Sequence, residues 1–363
     1  MNMKNFFLVI GISAGVILLF LIMGYLMMRR IANVIIQSNF DKRYDDRHTL
    51  KYFTADDFEH LETEPIEFPS DRGQKLKGFL YRSSLFEEYK ALMVVSHGLG
   101  AGHLQYTTEI DFFAQKGYLV FAFDDTGCNL SEGEKINGLT QSLIDLDYAL
   151  RFIRENDRLK DYRIVLFGHS MGAYAVSNVT SLYSDPISGI VALAPFKDEV
   201  SFLFEEFRAL TNLKYKTVER LLKKRVYARF GEFAKINTVD SFEQSEIPHL
   251  IIAGDQDPIV DYYSNFEMLK ERFEEKSGYR FLSVENRFHR PNLSLEAAEY
   301  DQNTNVELQN IQGKKISQES KDLAVKEFYE NLDYHLLVQM DDQVMEAILE
   351  FLDDCLKSEK EAN

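Results

Sequence analysis

The apolar and polar positions of this 363-residue chain follow three successive rhythms. From Phe6 to Met28 no charged residue occurs, and at about 1.5 Å per residue the run spans roughly 35 Å, enough to cross a hydrocarbon layer of about 30 Å. Residues 31–61 then read as a polar, charge-rich linker with scattered aromatics and room for one short helix. From residue 62 short apolar runs alternate with amphipathic segments. "TEPIEFPS" and "KLKGFLYRS" flank Asp71-Arg72-Gly73 and read as an antiparallel strand pair. "ALMVVSHG", "YLVFAFD", "RIVLFG", "ISGIVALAPF", "IPHLIIAGD" and "YRFLSVEN" read as strands, most of them apolar enough to be buried on both faces.

Helical spacing falls between those strands. Ile110, Phe113 and Ala114 lie on one face of a segment that stops at Gly117. Leu143, Leu146, Leu150 and Ile153 form a stripe, and "MGAYAVSNVTSLY", "YYSNFEMLKERFEEKSG" and "DDQVMEAILEFLDDCL" supply three more helices. Strand–helix alternation predicts an α/β fold with a mostly parallel sheet covered on both faces, and chemistry at the carboxyl ends of its strands. Two segments break the rhythm: 197–246, helical between two strands, and 290–340, polar and weakly periodic. The expected organisation is a transmembrane anchor over 1–30, a linker over 31–61 and one large domain over 62–363.

Charge narrows the function. A formal net charge of −17 and a pI near 5.0 give a surface that repels polyanions, so nucleic acid is not an expected partner. Cys128 and Cys355 stand far apart without C-x-x-C or zinc spacing, so neither a disulfide framework nor a metal site is expected. The apolar run is too long for a signal-peptide core, and Leu26-Met27-Met28-Arg29-Arg30 offers no small-residue cleavage site. Lys4 alone precedes the run, whereas Arg29, Arg30, Lys42, Arg43 and Arg47 follow it, which predicts a single-pass protein of the cell membrane with its large domain in the cytoplasm.

The candidate chemistry centres on "GHSMG". A strand before Ser170 and a helix after it are what a nucleophile elbow requires, with Gly168 and Gly172 as small neighbours of the strained turn. A serine hydroxyl needs a base, and the base needs an orienting acid. His289 follows the strand "YRFLSVEN"; His249 sits inside a strand and His335 among apolar residues at helical spacing, so both read as packing residues. Asp257 at the end of "LIIAGDQDPIVD" is the favoured acid, with Asp255, Asp261 and Asp198 as alternatives. Backbone N–H groups of Met171 and of Leu99, in the glycine-rich "SHGLGAGH", are the expected oxyanion donors.

Together "HGLG", "FAFDDTGCNLSEG", "GHSMG", "GDQDPIV" and a histidine after the last strand resemble the α/β-hydrolase fold family, in its lysophospholipase, monoacylglycerol lipase and serine aminopeptidase branch. The resemblance covers about residues 62–290 and the final helix. It implies Ser170 as nucleophile, Asp257 as acid, His289 as base, Leu99 and Met171 as oxyanion donors, and 197–246 as a cap over the site. The chain departs from the family at Gly127-Cys128-Asn129, where Gly-His-Gly is common, and in the long insertion 290–340.

The expected activity is hydrolysis of a carboxylic ester with an apolar acyl group, such as a monoacylglycerol or lysophospholipid, through an acyl-enzyme and without cofactor or metal. The alternatives are a peptidase or amidase with the same triad, with "FKDEVSFLFEEF" supplying acidic groups for a free amino terminus, and a membrane-tethered binding protein with an inactive site. Within the cap, "KYKTVERLLKKRVYARF" carries seven basic residues and one acid, with Tyr215, Val218, Leu222, Val226 and Phe230 on one face. That helix either packs as a solvated surface element or turns its basic face to anionic lipid headgroups.

Overall fold

A computed structural model describes residues 3–45, 51–212 and 215–362. The elements in order are α1 (Met3–Phe40), β1 (Leu61–Pro69), β2 (Lys75–Ser83), β3 (Ala91–Ser96), α2 (Thr107–Gln115), β4 (Tyr118–Phe123), α3 (Leu139–Glu155), β5 (Ile164–His169) and α4 (Met171–Asn178). Then follow β6 (Gly189–Leu193), α5 (Glu199–Thr211), α6 (Lys216–Phe230), α7 (Thr238–Gln244), β7 (His249–Gly254), α8 (Met268–Phe273) and β8 (Tyr279–Val284). The chain ends with α9 (Leu295–Gly313), α10 (Gln318–Glu330), α11 (Tyr334–Leu337) and α12 (Asp342–Ala362).

Eight strands form one sheet in the order β1-β2-β4-β3-β5-β6-β7-β8. The β1–β2 and β2–β4 pairs are antiparallel, and the pairs from β4–β3 onward are parallel. The central strands are apolar throughout because both faces are covered. Leu92, Val94, Leu166 and Ile190 point into the layer that holds α3 and α4, while Met93, Val95, Val165, Phe167 and Val191 point toward α2 and α12. Strand order reverses between β3 and β5, since β3 has β4 on one side and β5 on the other. The loops leaving the carboxyl ends of these two strands therefore diverge and open a crevice.

Three segments differ from the sequence reading. Residues 31–40 are not linker: α1 runs on without a break, and Ala32, Ile35, Ile36 and Phe40 are buried in the main core, Phe40 against Phe202 at 6.0 Å. Their i, i+3, i+4 spacing carried this stripe inside what looked like a polar segment. Residues 41–45 are also docked, with Arg43 donating to the carbonyls of Asn129, Ser131 and Gly133, and Tyr44 bridging to Cys128. The departure at Gly127-Cys128-Asn129 is thus where the chain from the N-terminal helix is stitched to the domain.

The polar stretch 290–340 holds three helices, α9 to α11, whose weak periodicity reflects little burial: Leu293, Ala297 and Ala298 make up their small core cluster. In the cap, Val218, Leu222 and Val226 are buried, but Tyr215 precedes α6 and is 52% exposed, so it falls outside the stripe. Arg47 and Lys214, counted above among the basic residues, lie outside the described residues. Up to Met27 the apolar residues of α1 are mostly exposed, and α1 is the one helix among the described residues long and apolar enough to cross a membrane.

Candidate active site

Ser170 occupies the turn between β5 and α4 with φ 58° and ψ −116°, a left-handed conformation that L-residues rarely adopt. The surrounding structure holds it there. The Ser170 N–H donates to the Leu193 carbonyl at 2.8 Å, and its own carbonyl accepts from Tyr174 at 3.0 Å. A β-carbon on Gly172 would stand 2.0 Å from the Ser96 carbonyl oxygen, and one on Gly168 would stand 2.4 Å from the Gly172 oxygen. Only glycine lets β3, β5 and α4 approach this closely, which is the physical content of the G-x-S-x-G spacing.

Sequence-distant segments converge on this hydroxyl. His289, in the loop after β8, has Nε2 2.9 Å from Ser170 Oγ, and its Nδ1 lies 2.9 Å from Asp257 Oδ2. Asp257 sits beyond β7 with 2% of its side chain exposed, and its other oxygen accepts the N–H groups of Ile259 at 2.8 Å and Val260 at 3.0 Å. The carboxylate thus has a fixed orientation and the Nδ1–H tautomer of His289 is favoured, leaving Nε2 to accept from the serine hydroxyl. Gly254, at the end of β7, permits the approach: a β-carbon there would lie 2.3 Å from the Arg287 carbonyl oxygen.

The other sequence candidates sit elsewhere. Asp198 caps α5 by accepting from the Ser201 N–H at 2.9 Å, and Asp261 accepts from the Ser264 N–H at 2.8 Å. Asp255 lies in the same turn as Asp257 but makes no contact with His289, and one of its buried carboxylate oxygens has no hydrogen-bond partner. His249 is buried in β7 with its ring stacked on Tyr279 at 4.9 Å, and burial lowers its pKa to about 4. His335 packs against the Phe53 ring at 5.2 Å.

Two residues that periodicity could not single out tie these parts together. The Gly98 N–H donates to the Tyr106 hydroxyl at 3.0 Å, and that hydroxyl bonds His169 Nδ1 at 2.7 Å. His169 Nε2 in turn donates to the His289 carbonyl at 2.8 Å. Burial, then the neighbouring His289 and Arg290, push the His169 pKa well below its usual value, so this ring is neutral. The loop after β3 is held on its other side by His97, whose Nδ1 faces the Gly98 carbonyl at 2.8 Å while Nε2 accepts from the Asp125 N–H at 3.0 Å. The N–H of Leu99 has no acceptor among the described residues, and Met171 is the first residue of α4, where an N–H lacks an intrahelical acceptor. His169 stood in plain view inside "GHSMG", but its partner Tyr106 is 63 positions away.

Comparison with known proteins agrees with this architecture. A family model described as serine aminopeptidase S33 matches residues 87–229. An esterase from Pyrococcus furiosus superposes with a TM-score of 0.52 at 19% identity, covering 79% of this chain and 98% of that one. The chain has the α/β-hydrolase fold. Among curated proteins the chain is 27% identical over 141 residues to the quorum-quenching protein AidA of Acinetobacter baumannii, and 29% identical over 119 residues to the uncharacterized protein YfhR of Escherichia coli. The matched stretches span 38% and 32% of this chain and 46% and 41% of those proteins, so it spans less than half the length of the curated relatives it matches. Asp257 and His289 lie beyond the residues that the family model covers.

Ser170 and His289 open into a pocket of about 420 Å³. Leu99, Phe196, Phe202 and Ile259 give it apolar walls, and Asn39 from the last turn of α1 also lines it. Two acids face this space. Burial raises the Glu206 carboxyl, and it raises Asp301 too, tempered by Arg290 and then His289. Among the described residues no group of three His, Cys, Asp or Glu side chains is arranged to hold a metal ion.

Proposed function

We propose that the protein is a serine hydrolase of carboxylic esters with an apolar acyl group, of the lysophospholipase, monoacylglycerol lipase or carboxylesterase type. The observation that carries this is the unbroken relay from Ser170 Oγ through both nitrogens of His289 to Asp257, each step 2.9 Å. Ser170 attacks the ester carbonyl while His289 takes its proton. The developing oxyanion is held by the Leu99 and Met171 N–H groups. His289 then protonates the leaving alcohol, and water activated by the same ring releases the acid from the acyl-enzyme, with Asp257 stabilising the imidazolium.

The lipid-like substrate class rests on the N-terminal helix as well as on the apolar pocket. α1 is continuous from its exposed apolar part into the core, and Asn39 on its last turn reaches the pocket. We take the apolar part as a single-pass anchor with the domain on the cytoplasmic side. Met28 and Asn39 are eleven residues apart in one helix, so about 16 Å of helix separates the end of the apolar run from the pocket. Esters dissolved in the bilayer then lie within reach of the pocket mouth.

A fluorophosphonate probe applied to the full chain in detergent micelles tests the reading. Labelling of wild type and none of Ser170→Ala is expected; a folded wild type that resists labelling leaves a tethered binding protein as the better account. A second reading, amide or aminopeptide hydrolysis, is favoured by Glu206 and Asp301 beside the pocket, since carboxylates there would attract a free amino group. Aminoacyl-nitroanilides cleaved faster than p-nitrophenyl esters of matched length would decide for it.

A further inference from the structure

Behind the catalytic pocket lies a second cavity of about 260 Å³. Gln105, Arg290, Asp301 and Asn305 line both spaces, so the two share a wall. Beyond that wall the second cavity is largely apolar, with Phe53 and Leu104 on the side of the main domain and Leu308, Phe328, Leu332 and Leu337 on the side of the insertion. The basic residue of that wall is already paired. Arg290 donates to Glu109 at 2.6 Å, and Glu109 is 1% exposed and also accepts from Asn292 at 3.0 Å. A chain crossing the wall therefore meets a paired guanidinium at Arg290 and, beside it, the Asp301 carboxyl, which burial pushes toward its neutral form.

The insertion supplies no residue to the relay of Ser170, His289 and Asp257, and it adds only a small core of its own. It does wall one side of a half-open, largely apolar space. Water solvates such a space poorly, and apolar ligands enter it favourably. The catalytic pocket adjoins it across these four shared side chains, so one molecule reaches both when Gln105 and Asn305 swing aside.

We propose that the cavity walled by residues 290–340 holds the apolar chain of the ester whose scissile carbonyl sits at Ser170. This rests on the hydrolase reading above and gives it a chain-length sensor outside the cap. Short esters fill only the catalytic pocket, whereas longer ones gain binding energy from the second space.

The test uses the full chain in detergent micelles with Leu308→Trp and, separately, Leu337→Trp, each placing an indole in the cavity. For p-nitrophenyl acetate kcat/KM should stay within about 2-fold of wild type, and for p-nitrophenyl decanoate it should fall at least ~10-fold, mainly through KM. A chain-length profile unchanged in both variants, or equal loss on both esters in both variants, overturns the proposal. A second arm does not depend on catalysis. A fatty acid with a terminal diazirine, photolysed on Ser170→Ala, should crosslink to peptides containing Leu308 and residues 328–338, and Leu308→Trp should abolish this. Crosslinks confined to 197–246 overturn the proposal. Crosslinking at the insertion with no ester hydrolysis by wild type would sink the hydrolase reading and leave the cavity assignment standing.

Discussion

Tyr106→Phe isolates the hydrogen-bonded chain that joins the loop after β3 to His289. The substitution removes one oxygen from a site 4% exposed and leaves the ring in place. Two buried groups lose their partner at once: the Gly98 N–H at 3.0 Å and His169 Nδ1 at 2.7 Å. An unsatisfied buried polar group costs about 1–3 kcal/mol, so the pair costs ~3 kcal/mol if part of the loss is relaxed by small shifts. At about 2.1 cal/mol/K per residue over a domain of roughly 300 residues, that lowers Tm by ~5 °C. Catalysis should suffer as well, because Gly98 adjoins Leu99 and the far end of the chain holds the backbone of His289. Loss of an oxyanion donor typically costs 10²–10³ in kcat; a residue that only positions such a donor should cost less, about 10- to 100-fold, with KM little changed. The assays are thermal unfolding by circular dichroism and p-nitrophenyl ester kinetics on the full chain in micelles. A Tm within 1 °C of wild type together with kcat within 2-fold would refute the idea that this hydroxyl ties the site together.

The remaining predictions concern the N-terminal helix, a buried acid and the cap. Deletion of residues 1–29 should leave a folded chain that still reacts with a fluorophosphonate. Deletion of 1–45 should not, because Ile35, Ile36 and Phe40 are buried and each contributes about 1.5–3 kcal/mol; a cooperative melt and labelling after the larger deletion would contradict this. Burial raises the Asp125 carboxyl to about 7, against the opposing pull of the Ser142 hydroxyl. Its folded pKa stands above the unfolded value of about 3.9, so its stabilising contribution is present at low pH and is lost as pH rises through 7. The stability of Asp125→Asn relative to wild type should therefore increase from pH 6 to 8.5 in urea titrations, and a constant difference would count against it. Lys223, Lys224 and Arg225 are exposed on α6. Replacing all three with Glu should lower activity on anionic vesicles by at least ~100-fold, at ~1 kcal/mol per basic residue lost, and spare a soluble ester; equal loss on both substrates would reject a lipid-facing role.

The sequence by itself determined which segments form the sheet and its covering helices. Apolar runs of strand length, helical stripes and turn glycines are local signals, and β1 to β8 follow them with small shifts at the ends. It also marked Ser170, because the elbow needs its glycines within two positions on either side. What it misread depended on contacts between distant residues. The stripe Ala32, Ile35, Ile36 and Phe40 looked like part of a linker because its partners, Phe202 and the rest of the core, lie far along the chain. The insertion looked featureless because its helices line a cavity instead of filling a core. The relay geometry, the Tyr106–His169 link and the shared wall at Arg290 belong to tertiary structure alone. A hydrogen bond is decided within a few tenths of an ångström, and residues over a hundred positions apart reach that precision only when the sheet order and the close approaches at Gly172 and Gly254 are set.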